Sequence, residues 1–140
     1  MSMTASIEPG LSYEFSYTVP EDKTVPHLYP DAQEFQEMPR VFATGFMVGL
    51  VEWTCVKALA PHLEPGSLTV GTHVDLSHLA ATPPGLTVTV RVEVTEVDGR
   101  RLSFKVSAHD GVDTICEGTH QRFVVDAKRF ATGVAKKAVS

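Results

Sequence analysis

The chain is 140 residues long, 43% hydrophobic and 21% charged. At that size one core removes about 70% of the unfolded surface from water, so a single domain over 1–140 is expected, without a separate regulatory module. Twelve basic against seventeen acidic residues leave a net charge of −5, which lacks the basic excess of a nucleic-acid binder. Two cysteines, Cys55 and Cys116, are too few for a disulfide scaffold. Residues 1–10 carry neither the basic nor the apolar region of a secretory leader. The longest uncharged stretch of the apolar centre, 41–51, is too short to cross a bilayer. A cytoplasmic protein without a membrane role is expected.

Leu11, Tyr13, Phe15, Tyr17 and Val19 alternate with Ser12, Glu14, Ser16 and Thr18, the period of a strand, and Pro20 ends it. Residues 21–40 hold Pro26, Pro30 and Pro39, which leave no room for a long element. They also carry Val25, Leu28, Tyr29, Phe35 and Met38. A segment this apolar must cover something, either a core edge or, as a lid, a pocket.

Residues 41–60 read as the one long helix, with no interior proline and Pro61 as its stop. It is apolar nearly all round, the pattern of a buried helix. Gly45 and Gly49 are four apart and form one smooth face that another backbone could approach closely.

Four strand-like runs follow. Leu68, Val70, Thr72, Val74 and Leu76 alternate with other residues, and Thr82-Pro83-Pro84-Gly85 is a turn. Leu86, Val88, Val90, Val92 and Val94 share a face, and Asp98-Gly99 signals a hairpin. Leu102, Phe104, Val106 and Ala108 continue the pattern; Asp110-Gly111 turns into a long last strand over 112–125. The core therefore covers 10–125, and 126–140 is a solvated tail with room for a short helix. The expected architecture is α+β: a curved antiparallel sheet around one central helix, the hot-dog arrangement. Its open edges make a homodimer the natural completion.

Glu52 is the sharpest anomaly, the one charge between residues 41 and 56. A carboxylate in apolar surroundings is paired, neutralised or used, and desolvation suits it to base chemistry near neutral pH. The bland alternative is a narrow solvent-facing stripe. Thr44, eight residues earlier, lies about 12 Å away along the axis, too far for a direct hydrogen bond within one helix. It reads as an N-cap, beside free amides that could hold an oxyanion. Joint action with Glu52 then needs a spanning substrate or a second subunit. Among the six histidines no pair has metal-ligand spacing, so no metal is expected. His78 stands at a strand end, where an acid or base can reach a cleft. Hydrolase-elbow, P-loop and dinucleotide motifs do not occur.

The run Val41-Phe42-Ala43-Thr44-Gly45-Phe46-Met47-Val48-Gly49-Leu50-Val51-Glu52-Trp53 resembles the fluoroacetyl-CoA thioesterase family. So do Lys23-Thr24-Val25, His27-Leu28-Tyr29-Pro30, the stretch 80–90 and Ser107-Ala108-His109-Asp110-Gly111-Val112-Asp113, a likeness covering about 11–125. The resemblance implies a homodimeric hot-dog thioesterase acting on short acyl-CoA substrates, with no cofactor beyond the coenzyme A of the substrate. The family's catalytic Thr, Glu and His fall on Thr44, Glu52 and His78. Its thioester-holding Gly falls on Gly71 and its last-strand Arg on Arg122. The lid residues fall on Val25, Leu28 and Phe35. A second lid Phe is replaced here by Met38, which implies a different or broader small acyl preference. Arg122, then Arg100, Arg101 and Lys105, are the basic side chains expected to meet the CoA phosphates. Two rivals share the fold: an enoyl-CoA hydratase or dehydratase, and a non-catalytic acyl-CoA-binding protein. The helix lacks the histidine of the first and carries the carboxylate missing from the second.

Overall fold

A computed structural model describes residues 6–140; residues 1–5, part of the stretch read above for a leader, lie outside it. Strand β1 (Ser12–Thr18) is followed by a short helix α1 (Gln33–Gln36) and the long helix α2 (Thr44–Leu59). Then come β2 (Ser67–His78), β3 (Thr87–Asp98), β4 (Arg101–His109), β5 (Thr114–Asp126) and a last helix α3 (Ala127–Ala138). The strands form one antiparallel sheet in the order β1-β3-β4-β5-β2, so β1 and β2 are its edges.

The alternation read in β3 and β4 sets the core. Val88, Val90, Val92 and Val94 line up with Leu102, Phe104, Val106 and Ala108 on the buried face. Against them α2 lays Met47, Leu50, Val51, Thr54, Cys55, Ala58 and Leu59, spaced three and four apart as one helix face requires. Thr54 is accommodated there because its hydroxyl donates to the Leu50 carbonyl at 2.8 Å.

The helix is not buried all round, as its composition suggested. Gly45, Gly49, Trp53 and Val56 form an exposed stripe, with Trp53 47% and Val56 42% accessible. Phe15 and Tyr17 of β1 meet the Trp53 ring edge-on, and the Lys57 ammonium lies over Phe15. The helix also starts later than expected. Ala43, not Thr44, is the N-cap; Thr44 is the first helical residue, and no side chain caps this end. Ala43 is held in extended backbone by the hydrogen bond its N–H donates to the Lys23 carbonyl, which fixes the cap there.

β2 departs from the uniform alternation of its sequence. Its pairing with β5 runs Thr69↔Val124 and Gly71↔Arg122, then slips to His73↔Gln121 and Val74↔His120. One extra residue, Thr72, is therefore accommodated in a bulge, and the inward set changes from odd to even numbers. Leu68 faces outward and is 41% exposed, whereas Leu76 and His78 share the inner face with Gly71.

The proline-rich segment is tied to the start of α2. Thr24 bridges Phe42, the Val25 amide donates to the Val41 carbonyl, and the Ala43 amide to that of Lys23. Gln36 of α1 donates to the Pro26 carbonyl at 2.9 Å, closing the segment on itself. The tail forms a full helix. Asp126 caps it by accepting from the Arg129 amide, and none of its residues is buried.

Candidate active site

Two polar clusters stand on the helix side of the sheet. The first is at the N-terminus of α2. Thr44 Oγ1 and His78 Nδ1 are 2.7 Å apart. Thr44 is exposed, and the pair lines a cleft of about 370 Å³ with Val25, Val41, Phe42 and the backbone run Leu79 to Ala81. The amides of the first helical turn have no intrahelical partner in any α-helix, and with Ala43 as N-cap no hydroxyl or carboxylate takes them. The positive end of the helix thus opens beside Thr44. Burial holds the His78 imidazole below the usual histidine range, opposed in part by the Ala80 backbone. Its Nε2 is buried without a partner among the described residues. In the tautomer that protonates Nε2, Nδ1 accepts the Thr44 hydroxyl proton and Nε2 keeps a donor to spare.

The second cluster is built around Glu52. Its Oε1 accepts from Arg122 Nη1 at 2.9 Å. Arg122 is buried, and its guanidinium also donates from Nε to Thr69 Oγ1 at 2.8 Å and from Nη2 to the Thr69 carbonyl at 2.9 Å. Glu52 keeps 41% of its side chain accessible. The carboxylate is therefore neither isolated in the core nor adrift in solvent: one oxygen is pinned and the group still faces outward. Gly71 makes the room. A Cβ there would stand 2.6 Å from Glu52 Oε1 and 3.3 Å from Arg122 Nη1.

The structure thus pairs Thr44 with His78 and groups Glu52, Gly71 and Arg122, but it keeps the two clusters apart along α2. Arg122 is not the exposed phosphate ligand expected: it is buried, and four of its five N–H donors go to Glu52, Thr69 and His120. Arg101 binds Asp98 at 2.8 Å, and Lys105 stands with Arg91 and Glu93 on the outer face of the sheet. Of the lid residues, Val25 lines the Thr44 cleft and Leu28 packs on Gly45, reaching within 2.9 Å of where a Cβ would stand. Phe35 leans on Tyr29, with ring centroids 5.9 Å apart, and Met38 is 47% exposed.

Sequence reasoning missed three supports. Thr69 holds Arg122, and His120 lies buried against it. Asp110 accepts from Thr82 Oγ1 at 2.8 Å and from the Val112 and Asp113 amides, while the Thr82 carbonyl accepts from Phe42 just before the helix. A buried aspartate in an Asp-Gly turn reads as turn chemistry alone, so its reach to the helix start is not visible in sequence.

A five-stranded antiparallel sheet packed on one long helix, with a Thr–His pair at the helix start and a carboxylate on its flank, defines a hot-dog enzyme of the thioesterase class. A thioesterase superfamily member from Thermus thermophilus is 26% identical and superposes with a TM-score of 0.83, over 94% of this chain and 93% of that one. Residues 19–128 match the fluoroacetyl-CoA-specific thioesterase family. The fluoroacetyl-CoA thioesterase of Streptantibioticus cattleyicolor is 55% identical over 135 residues, 96% of this chain and 97% of that protein. A crystal structure of a fluoroacetyl-CoA thioesterase superposes with a TM-score of 0.92 at 56% identity, covering 94% of this chain and 97% of that one. The chain belongs to the fluoroacetyl-CoA-specific thioesterase family and is a thioester hydrolase.

Proposed function

We propose that this protein hydrolyses the coenzyme A thioester of a small acyl group, releasing the free acid and CoA, as a cytoplasmic homodimer of one-domain protomers. It uses no metal and no cofactor apart from the CoA of its substrate. The observation that carries the reading is Glu52, paired with Arg122 at 2.9 Å, partly exposed, and given room by Gly71. Hydrolysis needs an oxygen nucleophile at the thioester carbon and a place for the charge that gathers on the carbonyl oxygen. Glu52 supplies the first, by taking a proton from water or by attacking as a carboxylate. The first-turn amides of α2 and the Gly71 amide are the donors suited to the second. His78 orients Thr44 and offers Nε2–H toward the departing thiolate.

Two features support a second copy. The β2 edge is open, with Leu68 and Val74 exposed. Gly49 lies on the exposed stripe of α2 with nothing within 4 Å of an added Cβ, so the single chain has no steric use for a residue costing a helix about 1 kcal/mol relative to Ala. Antiparallel pairing of two β2 strands would run the His78 end of one beside the Gly71 end of the other. The Thr44–His78 pair of one copy would then approach the Glu52–Arg122 pair of its mate, uniting clusters that one chain keeps apart.

Met38 replaces an aromatic lid residue and stands exposed at the end of the segment. Its flexible thioether closes a pocket less selectively than a ring, so acyl groups beyond fluoroacetyl are accepted. Thiol release from acetyl-, fluoroacetyl-, propionyl- and phenylacetyl-CoA tests this. A strong fluoroacetyl preference would refute the argument from Met38. Glu52→Gln should lower kcat at least about a hundredfold with an unchanged melting temperature, and full activity in that variant would end the assignment. Hydration of an enoyl-CoA without thiol release would favour the hydratase alternative.

A further inference from the structure

Resting on the reading of Glu52 above, we propose that His120 is a positioning residue for the hydrolysis: its Nε2 accepts from Arg122 and so fixes the guanidinium that holds the Glu52 carboxylate. His120 is fully buried on the inner face of β5, two residues before Arg122. Its Nδ1 lies 2.8 Å from the His73 carbonyl oxygen. A carbonyl only accepts, so Nδ1 carries the proton and Nε2 keeps its lone pair. Arg122 Nη1 stands 3.2 Å from that lone pair and donates to it. The second hydrogen of the same Nη1 goes to Glu52 Oε1 at 2.9 Å.

The nitrogen that touches the carboxylate is therefore gripped from the other side by His120. Thr69 holds Nε through its Oγ1 and Nη2 through its carbonyl. With both grips in place the guanidinium has one orientation. Without His120, the planar guanidinium can tilt as a unit about the edge that Nε and Nη2 present to Thr69, which displaces Nη1 and the carboxylate with it. The β2 bulge enters here too, because the register slip brings the His73 carbonyl to Nδ1. A second proton on the ring would set N–H against N–H and a cation against Arg122. Arg122, Glu52 of α2, and His73 are the titratable groups that act on it, with the Phe104 ring at 6.4 Å on the β4 side. Burial first, and Arg122 as a further contributor, hold the imidazole below its ordinary range, while the His73 carbonyl works against them.

Two substitutions separate the two nitrogens. The His120→Asn amide reproduces the Nδ1 donor to His73 and removes the acceptor. The His120→Gln amide can place an oxygen near Nε2 and gives up the His73 bond. We expect kcat on the best acyl-CoA to fall about tenfold in His120→Asn with KM within about twofold, and to stay within about threefold of wild type in His120→Gln. A purely structural role would rank activity with melting temperature and would not distinguish acceptor from donor. Wild-type kcat in His120→Asn, beside an inactive Glu52→Gln, overturns the proposal and leaves the Glu52 reading standing. If His120→Asn does not fold, His120→Gln decides: retained kcat supports the role, and loss as deep as that of Glu52→Gln overturns it. An active Glu52→Gln overturns both.

Discussion

A carboxylate on a helix that should be buried is expensive unless something meets it. Here Arg122 meets Glu52, and the arginine is itself held by Thr69, so the pair is a fixed piece of geometry rather than a loose surface bridge. Thr44 and His78 make a different kind of pair, a neutral hydroxyl on a partly buried imidazole. Burial disfavours the imidazolium, so His78 stays neutral to lower pH than a free histidine. Only the neutral ring can accept the Thr44 proton, and it exists above the pKa. The acid limb of kcat/KM should therefore fall below about pH 6.5, the ordinary histidine value. A pH–rate profile checks this; a midpoint clearly above that value would show that His78 is not the neutral partner. Elsewhere burial pushes the Cys55 thiol to about 12 and Cys116 to about 11, which makes both inert as nucleophiles in the folded protein.

At the scale of elements, β2 does more than complete the sheet. Thr69, Gly71 and His78 must all face α2, yet 69 and 78 differ in parity, and a regular strand would turn His78 outward. The bulge at Thr72 reconciles them. Deleting Thr72 removes the extra residue together with the bulge, so the pairing with β5 becomes continuous, Thr69, Gly71 and His78 stay on one face, and thiol release should persist within about tenfold. Thiol release and far-UV circular dichroism of this variant check it; a folded but inactive deletion variant would show that the bulge does more than set the face of His78. The neighbouring strand carries its own safeguard. Gly118 has φ +150°, and a Cβ there would collide with the Asp75 carbonyl oxygen, so β5 can approach β2 at that point only as glycine.

For the whole molecule, the proposed dimer uses the exposed stripe of α2 and the open β2 edge. Gly49→Arg tests this without harming the single chain, since open space surrounds that position. Sedimentation velocity should show the dimer dissociate to monomer, and thiol release should fall at least about tenfold because each copy would lose the other's cluster. A dimeric, active Gly49→Arg protein would place the interface elsewhere. Among the described residues no helix is long and apolar enough to cross a membrane.

Much of this was legible from residues alone. Alternation in β3 and β4 and the unbroken apolar run of α2 determined the sheet, the helix and the core, because period and length are local properties of the chain. Glu52 was conspicuous as a lone charge, and Thr44, His78, Gly71 and Arg122 followed from a family likeness. Tertiary structure decided the rest. Arg122 looked like a phosphate ligand until it was seen buried, with four of its five donors taken by Glu52, Thr69 and His120. Thr72 looked like one more alternating residue, since a bulge is a property of two strands and not of one. His120 looked like any other histidine, because its meaning rests on a carbonyl 47 residues away. Pairing across the sheet joins residues that no spacing rule along the chain connects, and it decides which side chains of this site touch.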